Sequence, residues 1–150
     1  MYNFSIMDAN QKGFTHKFVA VLNKKIPVGN LMNALGHMAV GLSSDYPSIS
    51  EMRFDNYFDK DGGTHKNISD NPFIILQADN SNKIRTLRNA LLKKGIHFSD
   101  FTNTMTVGTY IEQQQRTKET LEAELEYYGI CLFGEIDEVN ELTKKFSLWR

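Results

Sequence analysis

His37 is the one histidine of four in this 150-residue chain that has polar company at helical spacing, with Asn33 one turn and Asn30 two turns before it. On one helical face these residues offer an imidazole, which exchanges a proton near neutral pH, and two amides able to donate to a carbonyl or hydroxyl oxygen. The plain alternative is a helix-surface histidine with ordinary solvent bonds. A second cluster, Ser99-Asp100-Phe101-Thr102-Asn103-Thr104-Met105-Thr106, crowds hydroxyls around one carboxylate at the end of an expected strand. Asp100 can orient a hydroxyl, a water or an imidazole, so His37, Asp100 and Thr104 are the candidate catalytic residues. Asn30, Asn33, Thr102 and Thr106 are the candidate ligand-binding residues, although Thr and Asn are also common turn formers.

Other constellations carry less. Asp59-Lys60-Asp61-Gly62 imitates the start of a calcium loop, but Tyr57 stands where a further Asp or Asn belongs and the closing Glu is missing. It reads as a hairpin turn. Gly29, Gly36 and Gly41 are scattered through a helix instead of opening one, so no phosphate-cradling loop is expected. Cys131 lies in an apolar run that hides a thiol and raises its pKa. His16, His65 and His97 are isolated in sequence. No metal site or cofactor is expected.

The elements that position these residues follow from hydrophobic pattern. The run His16–Asn23 is almost continuously apolar and β-branched, the mark of a strand buried on both faces. Pro27 opens a helix reaching about Ser43, with Val28, Leu31, Met32, Leu35, Met38, Ala39 and Leu42 on its apolar stripe. Residues 52–58 suit an edge strand, followed by the turn Asp59–Gly63. A strand over Pro72–Ala78, a helix over about Asn80–Lys94 closed by Gly95, and a strand over Ile96–Phe101 come next. The spacing of Leu121, Leu125 and Tyr128 predicts a helix over roughly 117–127. A strand at Ile130–Gly134, a helix over Glu135–Lys145 and an apolar close at Phe146–Trp149 complete the chain. Alternating strands and helices predict one layered α/β domain over residues 16–150, with a mixed, mostly parallel sheet flanked by helices on both faces. Residues 1–15 read as a lead-in. If the strands over 17–22 and 96–99 are parallel neighbours, both following loops emerge at one end of the sheet. Asn30, Asn33, His37, Asp100 and Thr104 would then line one pocket.

Composition bounds the rest. The 41% hydrophobic and 23% charged content is that of a globular chain, and 17 Lys plus Arg against 18 Asp plus Glu leave a net charge of −1. No whole-molecule field recruits a polyanion, and Lys24, Lys25, Arg85 and Arg88 are the one candidate patch for tRNA. The single cysteine and the lack of an apolar leader or spanning segment point to the cytoplasm, away from membranes. Met38, Tyr127, Tyr128, Phe146 and Trp149 exceed what a small core is expected to cover, which predicts a homodimer.

Two stretches carry a resemblance: Lys17–Leu22 with Ile26–Leu42, and Tyr128–Gly134 through Leu148-Trp149-Arg150. Together they resemble the domain-of-unknown-function family two thousand over roughly residues 16–150. That family is similar in fold to the type II peptidyl-tRNA hydrolases, compact α/β domains with a mixed sheet. The hydrolase pattern G-K-G-K-x-A-x-Q-x-x-H meets His37, but its site lysine falls on Asn30, its glutamine on Ala34 and the neighbouring cysteine on Leu35. Moving the register by two still leaves Asn30 under a lysine. Asp100 and Thr104 keep the spacing of the later D-A-G-x-T, with Phe101 and Thr102 in place of its small residues. The resemblance therefore implies an altered site. A neutral Asn30 replaces a cation that would hold phosphate or an oxyanion, and losing such a donor typically costs about 100- to 1,000-fold in turnover. The expected function is binding of a small polar ligand or partner without the ancestral activity. The alternative is an ester or amide hydrolase in which Asp100 and His37 orient a water against a carbonyl held by Asn30, Asn33 or Thr104.

Overall fold

A computed structural model describes residues 13–150; residues 1–12 of the expected lead-in lie outside the described residues. β1 (His16–Asn23) is the middle strand of a five-stranded sheet of order β5-β6-β1-β4-β7. Phe18, Val19, Ala20, Val21 and Leu22 are each no more than 5% exposed, so both faces of this strand are core. The other strands of the sheet are β4 (Phe73–Ala78), β5 (His97–Thr102), β6 (Tyr127–Glu135) and the short β7 (Ser147–Leu148). The sheet is mixed, as expected, but it is not mostly parallel. β1 pairs parallel with β4, whereas β1 with β6, β5 with β6 and β4 with β7 are antiparallel. The reason is directional: helical crossovers return the chain so that β1, β4 and β5 run one way, while β6 and β7 enter from the opposite end and separate or flank them.

Helices cover both faces. α1 (Val28–Asp45) buries Leu31, Ala34, Met38 and Leu42 against Phe18, Ala20, Leu22, Phe101, Cys131 and Phe133. α2 (Ser81–Lys94) and α4 (Ile136–Thr143) pack Ile84, Leu87, Leu91 and Val139 on the other face, against Val19, Val21, Ile130 and Leu132. The ends of α2 follow local chemistry. The Asn80 side chain accepts the Lys83 amide at 3.0 Å, and Gly95 at φ 68° takes the left-handed conformation that closes the helix.

One expectation fails locally and another is met nearly as read. The helix predicted over 117–127 is instead α3 (Tyr110–Lys118), started by a capping box in which Thr109 and Glu112 bond each other's backbone. Beyond it Glu122–Glu124 is a single 3-10 turn and Tyr127 already belongs to β6, because Leu121 is solvent-exposed and supports no apolar stripe. The edge strand expected over 52–58 is β2 (Phe54–Phe58), which pairs with β3 (Thr64–Ser69) in a separate hairpin. Its turn is the one read from sequence: the Asp59 carboxylate accepts the Asp61 and Gly63 amides at 3.0 and 2.9 Å, and Gly62 sits at φ 81°. No helix among the described residues is long and apolar enough to cross a membrane.

β6 carries a bulge opposite the Phe101–Thr102 step, where Phe101 pairs with Gly129 and Thr102 with Tyr127. The extra residue sends Tyr127 to the α2 side and Tyr128 to the α1 side. Met38 and Tyr127 are buried, and Tyr128, Phe146 and Trp149 pack against the core. The side chains that suggested a homodimer are thus buried or half-buried within the chain.

Candidate functional site

β1 and β5 are not neighbours, since β6 lies between them, but both are antiparallel to β6 and so end at the same end of the sheet. A cleft of about 420 Å³ opens there between α1, β5 and α3. Asn33, His37, Met38 and Gly41 border it from α1, Ser99, Asp100 and Phe101 from β5, Met105 and Thr106 from the following turn, and Gln113 from α3. The wall is held firmly. Ser99 donates its hydroxyl to the Met38 carbonyl at 3.1 Å, and the His97 ring nitrogen Nε2 lies 3.2 Å from the Leu42 carbonyl. His37 is exposed and lies over Phe101, ring centroids 5.9 Å apart, with Tyr128 a further 6.0 Å beyond.

The expected residues separate into three groups. Asn33, His37 and Thr106 stand exposed at the cleft. Asn30 is exposed on α1, one turn short of it, and does not border it. Thr102 and Thr104 are 1% and 3% exposed and do not face it. Their hydroxyls lie 2.7 Å apart, and Thr117 of α3 donates to Thr104 at 2.7 Å. With Arg116 donating to the Thr104 carbonyl at 3.1 Å, this chain of hydroxyls pins α3 to the turn after β5.

Asp100 borders the cleft, but its carboxylate does not serve it. Strand alternation turns Ser99 and Phe101 toward α1, and Asp100 toward α2, where Arg88 Nε donates to it at 2.8 Å. The His37 ring and the Asp100 carboxylate therefore lie on opposite faces of the sheet. Arg88 is thereby neutralised, as are Arg85 by Glu122 at 2.9 Å and Lys24 by Asp79 at 2.8 Å, so the expected basic patch is mostly made of ion pairs. Lys24 and Lys83 together hold the Asp79 carboxyl down to about 2. Among the described residues no group of three or more His, Cys, Asp or Glu side chains converges to hold a metal ion.

A family described as a protein of unknown function, DUF2000, matches residues 16–150. The chain belongs to the DUF2000 family. Among solved structures, one described as a protein of unknown function from Agrobacterium tumefaciens strain C58 shares the fold at a TM-score of 0.78 and 19% identity, covering 91% of this chain and 99% of that one. No curated protein matches this chain.

In this DUF2000 protein, sequence reasoning missed Met105 and Gln113 as cleft residues. Gln113 was lost with the misplaced helix, and the Thr109-x-x-Glu112 capping signal would have recovered it. Cys131 on β6 is buried in the core, and burial pushes its thiol up to about 12.

Proposed function

We propose that the α1–β5 cleft binds a small, uncharged polar ligand with a flat face. One observation carries this reading: the Asn33 and Gln113 amides, the Thr106 hydroxyl and the His37 imidazole bring donors and acceptors around a single cleft bordered by Phe101, while the one carboxylate at its rim is occupied by Arg88. A flat ligand gains from stacking against the His37 and Phe101 rings, and a charged one finds no counter-ion. Titration with benzamide and nicotinamide, followed by backbone amide shifts, tests this. Perturbations should cluster at Gly41, Ser99, Thr106 and Gln113, and Asn33→Ala with His37→Ala should weaken binding about tenfold. Shifts scattered elsewhere, or none at millimolar ligand, would overturn it.

A water oriented jointly by Asp100 and His37 is not supported, because the Arg88 pair commits Asp100 to the other face. The loss of peptidyl-tRNA hydrolase activity that the sequence resemblance implies agrees with this reading: neutral Asn30 stands outside the cleft and no lysine borders it. Multiple-turnover cleavage of an N-blocked aminoacyl-tRNA by the purified protein would refute that loss.

A further inference from the structure

At the opposite end of the sheet, where β1 begins and β6 ends, a second cleft of about 480 Å³ is bordered by Phe14, Thr15, Glu135, Ile136 and Asp137. Thr15 is exposed there, and its Oγ1 lies 2.7 Å from His16 Nδ1. The other ring nitrogen, Nε2, lies 3.3 Å from the Glu51 carboxylate. In the tautomer that carries its proton on Nε2, Nδ1 accepts from the threonine hydroxyl. Glu51 is itself oriented by the Tyr46 hydroxyl, which donates to the same oxygen. The ring cannot swing, because it stacks on Phe133 at 5.3 Å and 23° and its side chain is 16% exposed.

We propose that Thr15, His16 and Glu51 form a nucleophile, base and positioning carboxylate that hydrolyse uncharged or cationic carboxylic esters. Chain geometry supplies the remaining parts. The Ile136 amide donates to the Thr15 carbonyl at 3.1 Å, fixing the threonine at the start of α4. α4 has no side-chain cap; its Ile136 amide is taken by Thr15, and the next amides, of Asp137 and Glu138, lack partners within the helix and serve the negative charge that develops on the carbonyl oxygen. Glu135 and Asp137 at the rim select against carboxylate substrates.

The steps balance. Thr15 Oγ1 bonds to the ester carbon as its proton passes to His16 Nδ1; the bond from that carbon to the alcohol oxygen then breaks, and His16 returns the proton to the departing alcohol. Water attacks the threonyl ester, gives a proton to His16, and leaves as part of the acid while Thr15 regains its hydroxyl proton. Ester plus water gives acid plus alcohol, with no other co-reactant.

The full chain assayed with p-nitrophenyl acetate, acetylcholine and p-nitrophenyl hydrogen succinate tests this. Wild type should cleave the first two and spare the third. Thr15→Val and His16→Gln should each lose at least about 100-fold in kcat/KM, with Thr15→Ser active and His65→Ala, on the distant hairpin, unchanged. Glu51→Gln should lower kcat with KM held, which a merely structural role would not do. Circular dichroism confirms that each variant is folded. No cleavage by wild type, or a folded Thr15→Val as active as wild type, overturns the proposal without touching the binding assigned to the other cleft.

Discussion

His37 borders one cleft and His16 stands behind Thr15, which borders the other, and the two rings are held in opposite ways. His37 stands exposed over Phe101, with no hydrogen bond to its ring among the described residues. His16 is gripped at both nitrogens and against Phe133. The two ends of one sheet thus present imidazoles held in different ways. A ring with free nitrogens can meet a ligand's donor or acceptor by choosing its tautomer, whereas a ring with both nitrogens spoken for has one proton path. Sequence spacing favoured the first histidine because its neighbours lie on one helix; the second gains its partner from a distant turn.

Four perturbations sharpen this contrast. The largest is Gly129→Ala, since a Cβ there would sit 2.8 Å from Leu22 Cδ2, 3.0 Å from Met38 Cε and 3.3 Å from the Val21 carbonyl. It should cost about 1–3 kcal/mol in urea unfolding and lift α1, weakening ligand binding near His37 while sparing the His16 end. Next, Thr104→Val leaves the Thr102 and Thr117 hydroxyls without their shared partner. A loss of about 1–2 kcal/mol is expected, with faster amide exchange across α3 and weaker binding through Gln113.

Asp100→Asn should cost about 1 kcal/mol, because it weakens the Arg88 pair, whose side chains are 17% and 26% exposed. Ligand-induced shifts at Ser99 and Thr106 should stay as in wild type; a tenfold loss of binding would mean the carboxylate serves the α1 cleft after all. The smallest effect is His37→Ala, within about 0.5 kcal/mol in stability because the ring is exposed and unbonded.

Alkaline pH separates the two ends from another direction. Burial, reinforced by the Glu51 carboxylate, pushes the Tyr46 hydroxyl up to about 12 from its ordinary 10. A folded-state pKa raised in this way contributes stability that is fully present below pH 10 and is lost as pH rises toward 12. Thermal melts of Tyr46→Phe should show a shallower decline over that window than wild type, and the Thr15 and His16 amide signals should broaden first.

Local signals made much of this architecture legible. β1 spans the residues its apolar run indicates, and α2 ends where Asn80 and Gly95 say it should. Sheet order was not legible, because β6 joins β1 through contacts between residues far apart in sequence, and no local pattern encodes such a pairing. The site was half legible. Helical spacing placed Asn33 and His37 together, while the facing of Asp100 was encoded in simple alternation: Ser99 and Phe101 cannot share a face with it in a strand. Thr15, His16 and Glu51 escaped because a ring isolated in sequence gives no hint of which carboxylate will reach it.

The central place of β1 also governs how the chain reaches this state. Among the described residues β1 is the first strand in the chain, and its two neighbours are β4 and β6, so one of its edges stays open until residues 127–135 have emerged. Such non-local pairing slows folding and prolongs the time during which an apolar strand edge can recruit another chain. A nascent chain stopped before β6 would therefore leave one edge of β1 unpaired along the apolar run over 18–22.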